Sequence, residues 1–225
     1  MKTLFLTVTL GLGATGLAAC GQTGGNANSM NHNSMTKNSN SSMNMNGMDH
    51  NSMPMNSNMS MDHSAMKSSP NAASQPYDLQ FIDTMIAHHK GAVDMAKMVE
   101  GKTQNPDIKK FAAQIIADQE KEISQMKDWR EKWFAGKPAA TNMEMPGMMD
   151  SMKMDMAKLT NSKDKEFDVA FIDVMTPHHV GAVTMAKEAL QKSEKAEIKT
   201  LAGQIIKAQE AEIKMMGEWK TKWSK

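Results

Sequence analysis

The sequence predicts an all-α protein, a four-helix bundle made of two copies of one helical hairpin. Three observations support this prediction: a gapless internal repeat, apolar residues at helical spacing in each copy, and no segment with the period-two alternation of a strand. Residues 77–134 align with residues 167–224 at a constant offset of 90, and 28 of the 58 aligned positions are identical. Because two copies are too few for a solenoid, we expect them to pack on each other.

Each copy contains signals for two antiparallel helices. In copy one, the first helix is predicted from Asp78 to Glu100, where Gly101 is a stop signal. Asn105 and Pro106 then provide the cap and the first position of the second helix. That helix carries apolar residues at heptad-like spacing and ends before a glycine and a proline.

The N-terminus predicts export and a lipid anchor. Residues 1–19 have a positive start, a short apolar run and small residues before Cys20, which is typical of a secretory signal. The end of this segment also resembles the bacterial lipobox, in which the cysteine is lipidated, although an ordinary signal with an incidental cysteine is the alternative. Cys20 is the sole cysteine, so the chain forms no intramolecular disulfide. We expect a protein held at the periplasmic or extracytoplasmic membrane surface.

The segment after Cys20 has a tether-like composition. In residues 21–76, 34 of 56 residues are Asn, Ser or Met, and there is no Leu, Phe or Tyr before Tyr77. Such a segment cannot form a core and is predicted to be disordered. The predicted boundaries are 1–19 for the signal, 20–76 for the tether and 77–225 for the bundle, which divides into repeat one (77–134), a Met-rich connection (135–166) and repeat two (167–225).

A polar layer is predicted halfway along the bundle. Gln119 and Glu122 interrupt the apolar seam of the second helix. If the hairpin turns near residue 104, His88 and Glu120 lie at about the same height. The repeat predicts the same level in copy two. The predicted layer comprises His88, His89, Gln119, Glu120, Glu122, His178, His179, Gln209, Glu210 and Glu212.

Methionines share a helix face with these histidines. Met85 precedes His88 by three residues and Met95 follows it by seven. Thioether and imidazole ligands together suit Cu(I), and by the same softness Ag(I). A structural explanation remains open, because a buried His can be satisfied by Glu and Met often fills core space. Adjacent histidines point about 100° apart on a helix, so we expect one of each pair to face inward. Pro177, which replaces Ala87, is a potential helix kink in copy two.

Most methionines lie outside the repeated helices. Of 26 methionines, 17 fall in the tether or the connection, where the sequence predicts little core to fill. They recur as Met-x-Met pairs, and His50 and His63 lie among them. A flexible chain can wrap a soft ion with several sulfurs, although compositional drift is the alternative. The candidate ligands here are Met43, Met45, Met48, His50, Met53, Met55, Met59, Met61, His63, Met66, Met143, Met145, Met152, Met154 and Met156.

Both repeats resemble domain-of-unknown-function family 305. The shared string is Phe-Ile-Asp-x-Met-x-x-His-His-x-Gly-Ala-Val-x-Met-Ala-Lys, beginning at Phe81 and Phe171. The resemblance implies a ferritin-like bundle in an exported bacterial protein, and some Met-rich members are implicated in periplasmic copper binding and resistance. The Met-Asp-His-Ser runs also resemble the Met-rich segments of bacterial copper-resistance proteins. The implied ligands are Met85, His88, His89, Met95, Met175, His178, His179 and Met185.

The sequence therefore predicts a non-enzymatic, lipid-anchored protein that sequesters Cu(I), and also Ag(I), for buffering, tolerance or hand-over. Its partners would be metal ions, the membrane through Cys20, and a copper-handling protein that the sequence does not identify. With a formal net charge of +1, the chain has no excess of positive charge that would attract nucleic acid. One alternative is a ferritin-like metal-dependent oxidase, although the Glu-x-x-His motif of di-iron bundles is absent. The other is a structural envelope bundle without metal.

Overall fold

The computed structural model describes residues 67–223, and this part of the chain is all-helical. A short 3-10 helix, Ala72–Ser74, precedes the first long helix. The long helices are α1 (Tyr77–Lys97) and α2 (Pro106–Phe134), and, after two short helices α3 (Met148–Ser151) and α4 (Met156–Asn161), α5 (Asp164–Lys192) and α6 (Ala196–Trp223). The predicted all-α bundle is confirmed. Among residues 67–223, no helix is both long and apolar enough to cross a membrane.

Local sequence explains where the first hairpin turns. α1 ends at Lys97, slightly before the predicted Glu100, and Gly101 follows with a φ of 74°. That backbone conformation is easy for glycine and strained for most other residues. The side chain of Asn105 accepts a hydrogen bond from the backbone N–H of Asp107, and Pro106 occupies the first position of α2. The cap predicted from the sequence is therefore formed.

Two apolar clusters fill the bundle. α1 packs on α2, α5 packs on α6, and α1 and α5 pack on each other. Cluster A takes Phe81 and Met85 from α1 and Met185 from α5, whereas cluster B takes Met95 from α1 and Met175 from α5. Residues that are equivalent in the repeat thus lie in opposite clusters. The two hairpins are therefore related by an approximate two-fold axis that crosses the bundle between the clusters.

The methionines of the connection do not lie outside the core. Met143, Met145 and Met148 are buried in cluster A, and Met152 packs against it. Met154 and Met156 pack against cluster B, while Met149 is 54% exposed. The prediction that these methionines have little core to fill is wrong. Two short helices fold the connection onto α5, which a composition-based argument does not reveal.

α3 lies unusually close to α5. A Cβ built on Gly181 would be 2.4 Å from the Cβ of Ser151 and 2.5 Å from the carbonyl oxygen of Gly147. Gly147 itself has a φ of 90°. Both positions therefore require glycine, and they fix the connection against the middle of α5.

Part of the predicted tether packs on the fold. The backbone N–H of Ser69 donates to the carbonyl oxygen of Thr141, and that of Met143 donates to Oγ of Ser68. Ala72 is buried. The predicted tether boundary at residue 76 is therefore too late, because residues 67–76 pack on the connection. The predicted signal, Cys20 and the tail candidates up to Met66 lie outside the described residues.

Candidate metal centre

Four histidines form a buried layer between clusters A and B. His88, His89, His178 and His179 are each no more than 2% exposed. They come from the middles of α1 and α5. The expectation that only one imidazole of each pair faces inward is wrong. α1 is covered by α2 on one side and by α5 on another, so two directions about 100° apart both lead into the bundle.

One histidine of each pair faces a glutamate of its own hairpin. His89 Nε2 lies 2.6 Å from Oε2 of Glu122, and His179 Nε2 lies 2.8 Å from Oε2 of Glu212. A carboxylate oxygen accepts hydrogen bonds, so the imidazole tautomer that fits this contact carries its proton on Nε2 and its lone pair on Nδ1. In His89 and His179 that Nδ1 is buried and has no hydrogen-bond partner within the described chain.

The other two histidines meet across the approximate two-fold axis. The ring centroids of His88 and His178 are 3.8 Å apart, with an interplanar angle of 36°. Within residues 67–223, neither ring nitrogen of His88 has a partner that meets hydrogen-bond geometry. Burial lowers the pKa of His88 well below its usual value, and His89 and His179 lower it further. His88 is therefore neutral at pH 7, the form in which imidazole binds metal.

The methionines lie on both sides of this layer. With a rise of about 1.5 Å per residue, Met85 is roughly 4.5 Å along α1 from His88, and Met95 is roughly 10.5 Å away in the other direction. Met85 and Met95 accordingly belong to different clusters. In α5, Met175 and Met185 occupy the equivalent positions on opposite sides of His178. The thioethers nearest to the layer along the helices are thus those of Met85 and Met175.

The predicted glutamine and glutamate candidates separate into two groups. Gln119 and Gln209 are buried, and the Oε1 atom of each has no partner within residues 67–223. Glu120 and Glu210 instead lie at the surface, where they pair with Lys97 at 3.0 Å and Lys187 at 2.8 Å. Glu120 and Glu210 lie at about the height of the histidines along the bundle, as predicted, but their side chains point to the surface.

The carboxylates do not form a di-iron site. Glu122 and Glu212 each contact a single histidine, and Glu120 and Glu210 are engaged by lysines. In the part of the chain that the structure describes, no three His, Cys, Asp or Glu side chains gather closely enough to hold a metal ion together. Any ion held at the layer would therefore need ligands such as thioether sulfur in addition to imidazole.

Two buried methionines are not among the metal ligands predicted from the sequence. Met126 and Met216 are fully buried, each four residues after the glutamate that contacts a histidine. Thr176 Oγ1 donates to Sδ of Met216 at 3.6 Å. Their recurrence at the repeat offset, one turn from Glu122 and Glu212, is the signal that could have singled them out.

Comparison with solved structures finds close relatives of the bundle. CopM in its Cu(I)-bound form is 39% identical, with a TM-score of 0.56, and the match covers 66% of this chain and 99% of CopM. CopM in an Ag-bound form obtained by co-crystallization is also 39% identical, with a TM-score of 0.55, covering 65% of this chain and 96% of that one. A DUF305 fragment from Deinococcus radiodurans is 26% identical, with a TM-score of 0.55, covering 66% and 97%.

A sequence relative and a family model also match this chain. "Uncharacterized protein L153" of Acanthamoeba polyphaga mimivirus is 41% identical over 49 residues, which is 22% of this chain. The chain thus spans about a third of the length of that relative, 32%. The family described as Domain of unknown function (DUF305) matches residues 21–130 and 78–220. The predicted family is therefore confirmed, and this chain belongs to the DUF305 family.

Proposed function

We propose that this protein binds and sequesters Cu(I), and also Ag(I), at the histidine layer of its bundle. The observation that carries the proposal is the orientation of His89 and His179. Glu122 and Glu212 hold the two imidazoles by Nε2 and leave a buried Nδ1 lone pair on each. Histidines that ligate metals are commonly oriented in this way by a carboxylate on the other ring nitrogen.

The surrounding side chains suit a soft monovalent ion. Met85 and Met175 lie about one turn from His88 and His178 along their own helices, and Met95 and Met185 lie further along them. Thioether sulfur favours Cu(I) and Ag(I) over hard cations. Binding by neutral imidazole and thioether releases no proton from the ligands. The likeness to CopM, which has been solved with Cu(I), with Cu(II) and with Ag, supports copper and silver as the ions.

The wider role follows from the rest of the chain. Cys20 would be lipidated and hold the protein at the outer face of a membrane, with the methionines and histidines of the tail as further weak sites. Such a protein buffers or hands over copper rather than making bonds. The oxidase alternative is weaker because the four glutamates that it would use do not converge.

The test is a titration of residues 21–225 with Cu(I) against a competing chelator. We expect the double variant His89→Gln, His179→Gln to lose the tightest binding, and Lys97→Gln, Lys187→Gln, which changes only surface pairs, to retain it. Removing residues 21–66 should lower the number of weakly bound ions and leave the tightest binding intact; the truncation ends at 66 because residues 67–76 pack on the fold.

Two results would contradict the proposal. The first is unchanged affinity in the folded histidine double variant, with circular dichroism showing the helices intact. The second is the absence of any competition by the unmodified chain, which would favour the structural envelope bundle. Oxygen consumption with about two bound iron atoms would instead favour the oxidase.

A further inference from the structure

A groove between α2 and α6 lies directly outside one of the two histidine–glutamate pairs. It has a volume of about 430 Å³ and is lined by Lys110 and Phe111 of α2 and by Glu212, Met215 and Trp219 of α6. Glu212, Met215 and Trp219 are spaced three and four residues apart, so they form one stripe along α6. Each of these three side chains is half-buried, in contact with both solvent and the bundle.

Glu212 connects this groove to the histidine layer. Its side chain is 18% exposed in the groove, and its Oε2 atom contacts Nε2 of the fully buried His179. The carboxylate of Glu212 therefore lies between a cation in the groove and His179 of the histidine layer. Met215 places a thioether on the same face of α6, one turn from Glu212, and Asp107 adds a second carboxylate at the groove.

The other half of the bundle has no thioether at the corresponding position. The repeat places Glu122 opposite Glu212 and Trp129 opposite Trp219, but Gln125 replaces Met215 and Leu201 replaces Phe111. Gln125 is also exposed, whereas Met215 is half-buried. The contact between glutamate and histidine is the same in both halves. The difference therefore lies in the side chains between that contact and solvent.

We propose that the α2–α6 groove beside Met215 is a capture site for a soft monovalent cation on its way to the histidine layer. This inference rests on the proposed function. The Met215 thioether takes the ion from solution, and the carboxylate of Glu212, which also holds Nε2 of His179, compensates its charge at the entrance to the layer. Loading then proceeds faster through the second half of the bundle than through the first. Met215 acts on the rate of loading, and it is absent from the final coordination of the ion.

The test measures the transfer of Cu(I) from a coloured chelator to residues 21–225 by stopped-flow absorbance. The kinetic phase that belongs to the layer is the one lost in the His89→Gln, His179→Gln variant. Met215→Leu keeps the volume and removes the sulfur. We expect it to slow that phase severalfold, with the final amount of bound copper and its affinity unchanged. Gln125→Leu is the matched control and should leave the rate unaltered, while Gln125→Met should raise it.

The outcomes separate this inference from the proposed function. An unchanged rate in Met215→Leu, with normal final binding, would overturn the capture site alone. Loss of one bound ion in Met215→Leu would overturn it as well, because Met215 would then be a permanent ligand. If the unmodified chain takes no copper from the chelator, the proposed function fails and the capture site fails with it.

Discussion

The two hairpins of the bundle share the contacts around the histidine layer and differ in contacts farther from it. The pairs His89–Glu122 and Lys97–Glu120 of the first half recur as His179–Glu212 and Lys187–Glu210 in the second, at N–O distances between 2.6 and 3.0 Å. Asp83 and Asp173 are also equivalent, and each pairs with the basic residue 47 positions later, Arg130 or Lys220. Asp83 also accepts from the buried backbone N–H of Ala140, whereas Asp173 pairs in addition with Lys158. The histidine layer is therefore the common part of the two halves, and divergence has occurred where different parts of the connection contact them: Ala140 meets Asp83 in the first half, whereas α3 and α4 pack on α5 in the second.

The largest expected effect compares Asp83→Ala with Asp173→Ala. Asp83 accepts from Nε of Arg130 and from the buried backbone N–H of Ala140, and its side chain is 8% exposed. Asp173 pairs only with the exposed Lys158 and Lys220 in the described chain. We expect Asp83→Ala to lower the free energy of unfolding by about 3 kcal/mol. The change leaves the guanidinium of Arg130 without its carboxylate and the buried backbone N–H of Ala140 without an acceptor.

Asp173→Ala should cost less than about 1 kcal/mol, since exposed ion pairs contribute little. Urea denaturation followed by circular dichroism measures both changes. Equal losses in the two variants would mean that the outer contacts of the two halves are energetically alike.

The second comparison concerns Gly181, where the connection touches α5. In Gly181→Ala the new Cβ would overlap the backbone of Gly147 and the side chain of Ser151, so we expect a loss of about 2 kcal/mol. Gly203→Ala is the control on the same hairpin. A Cβ there meets nothing within 4 Å, so the change should stabilise the protein by about 0.5–1 kcal/mol through helix propensity. Thermal unfolding distinguishes the two signs, and a stable Gly181→Ala would show that the connection can move aside.

The third comparison asks whether the two halves contribute alike to metal binding. Glu122→Gln and Glu212→Gln each remove a carboxylate that orients a histidine. Loss of such a partner costs about tenfold or more in metal affinity, about 1.4 kcal/mol, and we expect a similar loss in each variant. Competition against a Cu(I) chelator gives both values. A loss in only one variant would restrict the binding site to one half.

The smallest effect is expected at His88, where the halves meet. Because burial and the neighbouring histidines hold the pKa of folded His88 well below its usual value, the unfolded chain takes up a proton first as the pH falls. Stability is therefore complete above the unfolded pKa of about 6.5 and declines below it. From pH 7 to pH 5.5 we expect a loss of about 1 kcal/mol from this group. Urea denaturation at the two pH values measures it, and His88→Gln should reduce the pH dependence.

Local signals in the sequence predicted the helices and their axial alignment well. Asn105, Pro106 and Gly101 act within a few residues, so their roles can be inferred without knowing the rest of the fold. The alignment of His89 with Glu122 follows from similar distances to the turn along two antiparallel helices. The burial of both histidines in each pair did not follow, because it depends on α5 covering a second side of α1.

The burial of methionines in the connection could not be predicted, for a related reason. Met143, Met145 and Met148 occur in a Met-rich segment, as the methionines of the tail do, yet they are buried. Their burial depends on Gly147 and Gly181 allowing α3 to lie against α5, a contact between residues that are distant in sequence. Composition alone cannot distinguish a methionine that fills a core from one that stays in solvent.

The contact between His88 and His178 has a consequence for how such a protein can arise. These two residues are equivalent in the repeat and meet on the approximate two-fold axis, so each hairpin presents the same surface to the other. An interface of this self-complementary kind forms equally well between two separate chains. A single hairpin could thus have assembled as a symmetric homodimer with a complete histidine layer. Fusion of two copies would then preserve the layer while freeing each half to acquire its own outer surface.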